Sequence, residues 1–338
     1  MTAAALKVLR SGPGNTIQDG GRHGWLKFGI TPAGPMDWVM HAVANAMAEN
    51  PRGTATIEVT IGGIELEVSG GPVTLAYAGP GFVISRNGSP LPACGRVSLA
   101  TADRLAVKAG PSGTWCYIAP AARFDLVPVM GSLSTHTRSE IGGFEGRMLQ
   151  SGDLLPFSEV RTVADAGMDP ARPESGTRHI RVILGPQDDY FSKRGIAVFL
   201  NETFTLASRM DRMAYWLDGP KIEHRKGFNI VSDGIALGSI QVPGNGLPLI
   251  LMADRQPTGG YPKIATVIRA DLPKLAQMRA GARLQFATTD VQTASAALAG
   301  AVSSIATTVK LLAPSFRSLQ SDLLLATNLV SGVVNAID

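Results

Sequence analysis

The side chains able to do chemistry gather where apolar runs end in glycine and proline. In LILMADRQPTGGYPKIATVI, residues 249–268, an apolar strand expected over Leu249 to Ala253 delivers Asp254, Arg255 and Gln256 to its end. Pro257, the Gly259-Gly260 pair and Pro262 then force a tight loop. Loops held at strand ends by a rigid scaffold are where binding and catalytic groups concentrate. If the strand continues, Asp254 and Gln256 share one face and Arg255 takes the other. A carboxylate beside a carboxamide can accept from and donate to an amide or ureido group. The plainer alternative is a turn in which Asp254 caps backbone N–H groups.

Four further clusters have the same style. HIRVIL runs into GPQDDYF (residues 185–191), which presents Gln187, Asp188 and Asp189. Adjacent carboxylates can push one pKa up and supply a general acid or base, or they can cap the segment that follows. In SRMDRMAYWL, Arg209 and Arg212 are candidate anion clamps, because guanidinium pairs bidentately with carboxylate or phosphate; ordinary ion pairs are the competing reading. GSIQVPGNGLP places Ser239 and Gln241 on one strand face, and TIQDGGRHG offers Gln18, Asp19 and Arg22. The five histidines, His23, His41, His136, His179 and His224, lack metal-ligand spacing, so no metal site is expected. Four common motifs, GxGxxG, GxxxxGK[ST], GxSxG and HExxH, are all missing from the sequence.

These clusters need a scaffold, and the spacing of the runs between them describes one. From Leu6 to about Phe157, runs of five to seven β-prone residues alternate with Gly-Gly, Pro-Gly or Asn-Gly, the spacing of antiparallel hairpins. Asn87-Gly88 is the clearest turn, since both residues tolerate positive φ. One helix is expected over Asp37 to Ala48, with Asp37 as its N-cap, Val39, Val43, Ala46 and Met47 on one face, and Pro51 beyond its end. VRTVADAGMDPARPESGT reads as an interdomain linker, a second β-rich block follows, and a short helix is expected within IATVIRADLPKLAQMRAG. The last fifty residues have helix-like apolar spacing and few charges, as a packing or partner-binding tail would.

Composition narrows the class. The chain has 338 residues, with 38 glycines, 22 prolines and 45% hydrophobic residues, which excludes disorder and favours short strands joined by tight turns. Thirty-one Lys and Arg against 27 Asp and Glu leave +4, too little to suggest nucleic acid as a partner. Cys94 and Cys116 are too few for a disulfide framework or a cysteine zinc site and fit a reducing compartment. The first residues lack the pattern of a secretory signal, and no apolar run reaches about 18 residues, so a soluble cytoplasmic protein is expected.

In order along the chain, TIQDGGRHG, GPMD at 34–37, Ala44-Asn45, IEVT at 57–60, GPQDDYF, SRMDRM, SDGIALGSIQVPGNGLP at 232–248 and DRQPTGGYPKIATVIRADL at 254–272 resemble one family. It is the biotin-dependent carboxyltransferase, or KipA-like, family, whose members include the C subunit of 5-oxoprolinase, allophanate hydrolase subunit 2 and part of the urea carboxylase carboxyltransferase domain. The resemblance spans about residues 6 to 287. It departs at Ala33-Gly34-Pro35, where many relatives have Gly-Gly-Ala, and at Pro257, where many have Thr.

The resemblance implies a mainly β fold of two β-barrel domains of cyclophilin-like architecture, with a few short helices and a helical C-terminal tail. The domains then run 1–158 and 179–288, joined by a linker over 159–178 and followed by the tail at 289–338. The leading implication for function is a subunit of an ATP-dependent 5-oxoprolinase that opens 5-oxoproline to glutamate together with a KipI-like subunit and a LamB-like third subunit. ATP is then expected at a subunit interface or on a partner. In that reading Asp254 is the base, with Gln256 and Lys263 completing the catalytic group. Gln187, Asp188, Arg209, Arg212, Gln241, Tyr261, Asp19 and Arg22 hold the substrate. One alternative is half of a biotin-dependent carboxyltransferase acting on urea or an amide, with biotin carried by another protein. Another is a regulatory binding protein that antagonises a kinase inhibitor.

Overall fold

The computed structural model describes residues 4–168, 177–311 and 313–314. In the first half two sheets face each other, each with seven strands among the described residues. One sheet is centred on Ala5–Ser11, Ile64–Ser69 and Arg104–Ala109, the other on Thr56–Thr60, Trp115–Pro120 and Val73–Ala78. Ile64–Ser69 shows the expected alternation, its Ile, Leu and Val buried and its Glu and Ser half-exposed. Val73–Ala78 and Trp115–Pro120 are buried on both faces. Their alternation divides between two cores: Leu75, Tyr77, Cys116 and Ile118 face the opposite sheet, whereas Ala76, Ala78, Tyr117 and Ala119 face a helix.

That helix is Trp38–Met47, and Asp37 caps it by accepting the N–H groups of Val39 and Met40 at 3.0 Å. The small side chains Ala76, Ala78 and Ala119 leave room for it against the sheet. The turn at Asn87-Gly88 has φ of 50° and 83°, the left-handed pair that the hairpin demands. Cys94 and Cys116 are buried, unpaired thiols, and burial pushes Cys94 up to about 12. Within the stretch expected as linker, Ala166–Met168 forms a strand that pairs with Cys94–Arg96 and so extends the first half's sheet. Residues 169–176 of that linker lie outside the described residues.

The second half is a closed barrel. Its strands run in the order Arg178–Leu184, Lys263–Val267, Ser239–Gln241, Leu249–Leu251, Ala214–Asp218, Phe204–Met210 and Arg283–Thr288, and a parallel pairing of the last with the first closes the ring. Helix Lys193–Asn201 packs on the barrel, with Phe199 stacked on Phe286 at 4.5 Å between ring centroids. The expected short helix is Leu272–Ala276.

The two halves share one core, in which the first helix and barrel residues such as Ile240, Ile264 and Leu275 are joined. Hydrogen bonds cross the seam from Trp115 Nε1 to Tyr215 Oη at 3.0 Å and from Trp38 Nε1 to the Arg269 carbonyl at 3.1 Å. The tail begins with helix Val291–Lys310, capped by Asp290, which returns to the first half and packs on Trp38–Met47 with Ile305 buried. Residues 315–338 of the expected tail lie outside the described residues. No helix among the described residues is long and apolar enough to cross a membrane.

Candidate functional site

Most of the candidate residues gather in two polar centres. The first lies at the mouth of the barrel and is built around Lys263. Lys263 opens the strand Lys263–Val267 and pairs across the sheet with Gln241, so both side chains start from adjacent backbone positions. The Lys263 side chain is only 2% exposed. Burying an ammonium is costly unless it is paired, and here Asp233 Oδ2 at 2.7 Å and the Gly234 carbonyl at 3.1 Å accept from Nζ. An ammonium has three protons, so two acceptors leave one.

Gln187 ties the centre together. Its Oε1 accepts from the Lys263 backbone N–H at 3.1 Å, and its Nε2 donates to Asp233 Oδ2 at 3.0 Å. Hydrogen bonds from Lys263, Gln187 and its neighbour's backbone N–H at Gly234 hold Asp233 below the usual carboxylate range. Gln241 Nε2 donates to the Tyr261 carbonyl at 3.2 Å, fixing the loop that carries the lysine. Thr258–Gly259 pairs with Asp233–Gly234, so the Gly-Gly loop and the carboxylate form one small ribbon. A Cβ on Gly259 would meet Gln241 Nε2 and Ile235 Cδ1 at 2.7 Å, which explains the glycine. Phe228, Val231 and Tyr261 are exposed on the loops around the mouth, where Ile230 N–H bonds the Gly260 carbonyl at 2.8 Å. Asp188 sits beside the mouth in a 3₁₀ turn, Asp188–Tyr190, while Asp189 pairs with Lys226.

The second centre lies on the seam between the halves. Arg212 is nearly buried and donates to both oxygens of Asp254, at 2.9 and 2.7 Å, to the Gly34 carbonyl at 2.7 Å and to Glu58. Glu58, wholly buried in the strand Thr56–Thr60, also accepts from Tyr117 Oη at 2.7 Å and Met36 N–H at 2.8 Å. Tyr117 Oη accepts from the Asp37 N–H, and Asp37 accepts from Gln277 Nε2 at 2.8 Å. A chain of hydrogen bonds thus runs from the barrel through Arg212 to the first helix and back to the barrel. Burial, helped by the charge of Glu58, pushes Asp37 up to about 6 against its hydrogen bonds from Met40, Gln277 and Val39.

Several expectations change on this geometry. The strand expected over Leu249 to Ala253 ends at Leu251, and a turn follows in which Arg255 N–H bonds the Met252 carbonyl at 3.2 Å. The i, i+2 alternation therefore stops before Asp254. Asp254 is taken by Arg212, while Gln256 buries its Oε1 with no hydrogen-bond partner among the described residues. Lys263 is bound to Asp233, and no hydrogen bond joins it to Asp254 among the described residues. Arg209 does not form a clamp with Arg212: it stacks over the Trp216 ring at 4.0 Å. Asp19 has its oxygens filled by Ser132 and Ser134 hydroxyls and the Leu133 N–H, each at 2.6 Å. Arg22 is fully buried and donates to the carbonyls of Val129 and Ser134, bracing the same loop. The residues that sequence reasoning missed are Asp233, Glu58 and Tyr117. The SDG of 232–234 was a visible turn signal, whereas nothing local marked Glu58 as a partner for Arg212.

The fold and its two centres define a carboxyltransferase-type domain: the carboxyltransferase domain family, subdomain A and B, matches residues 28–288, and the chain belongs to that family. It is 35% identical over 283 residues to the C subunit of 5-oxoprolinase from Escherichia coli (strain K12), covering 83% of this chain and 90% of that one. Of solved structures, TTHA0988 aligns with a TM-score of 0.77 and 30% identity over 85% of this chain and 56% of that chain. The K. lactis urea amidolyase aligns with a TM-score of 0.82 and 25% identity over 90% of this chain. The chain spans a fifth of that much longer protein (20%).

Proposed function

We propose that this chain is a subunit of an ATP-dependent 5-oxoprolinase, opening the lactam of 5-oxoproline to glutamate in company with a KipI-like subunit and a LamB-like subunit. The observation that carries the reading is the buried Lys263 ammonium with one proton free at the barrel mouth. Opening a lactam adds water to the carbonyl carbon, breaks the ring C–N bond and returns a proton to the leaving nitrogen. Charge builds on the carbonyl oxygen as water adds, and a preorganised cation in a water-poor site is worth most at that point. Lys263 is the group for that oxygen. Gln187 and Asp233 hold the ammonium in place, and Gln256 Oε1, buried and unpartnered, is an acceptor for the lactam N–H.

ATP is a co-substrate in this reading, and we assign its binding to a partner or an interface. Exposed Phe228, Val231 and Tyr261 around the mouth suit coverage by that partner. Asp254 becomes a brace for Arg212, which crosses to Glu58 and Gly34 of the first half, and Lys263 replaces it as the reacting-centre residue. The likeness to K. lactis urea amidolyase favours a second reading, in which the same mouth holds urea or a related amide and biotin is presented by another protein. The ureido and lactam groups offer the same donor and acceptor pattern.

The test is 5-oxoproline-dependent ATP hydrolysis by this chain co-expressed with KipI-like and LamB-like subunits, each left out in turn. Activity that needs all three is expected. A folded three-subunit complex that leaves 5-oxoproline untouched, yet carboxylates urea once a biotin carrier is added, would move the assignment to the second reading.

A further inference from the structure

The seam between the two halves opens into a cavity of about 930 Å³. That volume is within the range of sites for drug-sized ligands, roughly 300–1,000 Å³. Its apolar wall comes from both halves: Ile61, Trp115 and Met148 from the first, Met210, Met213 and Tyr215 from the second. Methionines adapt their shape to what they touch, and Trp115 and Tyr215 are locked by the hydrogen bond between them. Arg212 and Asp254 line it as an ion pair, and Arg212 also reaches Glu58, which does not line the cavity.

The rest of the lining is unbalanced in charge. Arg279 donates Nε to the Gly113 carbonyl at 2.7 Å and Nη2 to the Ser112 carbonyl at 3.1 Å, and no carboxylate pairs with it among the described residues. Arg138 is exposed at the edge and makes no hydrogen bond or ion pair among the described residues. Against these two guanidinium groups stands one unmatched carboxylate, Asp211, whose Oδ1 caps a turn at the N–H groups of Met213 and Ala214. Among the groups that line the cavity, three guanidiniums stand against two carboxylates, a surplus of one positive charge beside an apolar wall.

We propose that this cavity is a second ligand site, separate from the barrel mouth, that takes a monoanion with an apolar body, such as a medium-chain or aryl carboxylate. The body lies on the methionine and tryptophan wall, and the carboxylate meets Arg279 and Arg138, whose forked donors suit it. Because both halves line the cavity, such a ligand ties them together across the seam and stabilises the folded chain by mass action.

Calorimetric titration of the full chain with decanoate, decanol and decyltrimethylammonium, all below micelle formation, tests the idea. Decanoate is expected to bind at one site and to raise the melting temperature, with the alcohol at least tenfold weaker and the cation weaker still. Arg138→Gln, on an exposed side chain, should lower decanoate affinity about fivefold, and Arg138→Gln with Arg279→Gln by more than tenfold. Ile61→Trp, at the half-exposed edge of the wall, should block binding without changing the melting temperature of the free chain. Lys263→Met should leave decanoate binding unchanged, which separates this site from the barrel mouth. Equal affinity for alcohol and carboxylate, or full affinity in the double arginine variant, overturns the proposal.

Discussion

Lys263 combines deep burial with a carboxylate partner that is half in water: the Asp233 side chain is 52% exposed. Such an asymmetric pair leaves the ammonium one proton beyond its two acceptors, while Asp233 keeps its solvation. Lys263→Met has nearly the same length and no charge. It should cost turnover of the assembled complex on the order of 100-fold or more, the scale of losing one preorganised donor. A solvated Asp233 leaves no buried orphan charge behind, so the melting temperature should stay within a few degrees. Steady-state rates beside a thermal melt of the same sample would check both halves of that expectation. Unchanged turnover would remove Lys263 from the reacting centre. Lys263, Gln187, Gln241 and Tyr261 were all legible in the sequence, because strand-end motifs announce themselves by glycine, proline and polar residues side by side. Asp254 was legible as a functional type but not in its role. Its partner Arg212 lies in the turn between two other strands, and Glu58, which completes the triad, sits in IEVT, where a lone glutamate reads as the solvent side of a strand.

Elements set how precisely those side chains are held. The Thr258–Gly259 and Asp233–Gly234 ribbon is two residues long on each side, so it depends on close backbone approach more than on ladder length. Gly259→Ala would force its Cβ into Gln241 Nε2 and Ile235 Cδ1. Overpacking of this kind costs about 1–3 kcal/mol. The loop, not the barrel, should yield, so KM for the lactam should rise with little change in denaturant midpoint. A drop in the midpoint with KM intact would instead mean that the ribbon braces the barrel. The helix Trp38–Met47 was readable to within a residue, since Asp37 and Pro51 mark its ends and its apolar spacing marks its face. The strand ending at Leu251 was read two residues too long. Met252 and Ala253 are as apolar as the strand before them, and the turn is imposed by hydrogen bonds from Met252 and Asp254 N–H to the carbonyls of Met213 and Arg212 in the turn that joins two neighbouring strands.

At the scale of the molecule the seam is the sensitive surface. Arg212 bridges Glu58 and Asp254, two carboxylates from opposite halves. Removing one partner of a buried network leaves uncompensated charge and costs about 3–5 kcal/mol, whereas replacing the whole set by apolar residues can be nearly neutral. Arg212→Met should therefore lower the unfolding free energy in urea by that amount, and Arg212→Met with Glu58→Gln and Asp254→Asn should recover more than half of it.

Two further buried groups on the first helix respond to pH in opposite senses. Burial depresses His41 to about 4, so between pH 4 and about 6.5 the unfolded chain binds a proton that the folded chain refuses. The stability that His41 contributes is present above about pH 6.5 and falls as pH drops, by roughly 1.4 kcal/mol per pH unit. Asp37, raised to about 6, is protonated in the folded chain first, so its contribution grows as pH drops through about 6 toward 4. The two effects overlap and offset each other. Asp37→Asn should leave the protein acid-sensitive over pH 4 to 6 and His41→Gln should reverse the slope, as equilibrium unfolding at a series of pH values would read directly. Identical slopes in both variants would sink this account.

The helix Val291–Lys310 covers Trp38–Met47, which joins two segments that lie far apart along the chain. During synthesis the first helix leaves the ribosome long before its cover exists. Until the codons of that later helix are read, an apolar helical surface waits in the open, available to chaperones and to other nascent chains. Emergence of the later helix is thus also the moment at which the first half of the molecule is sealed.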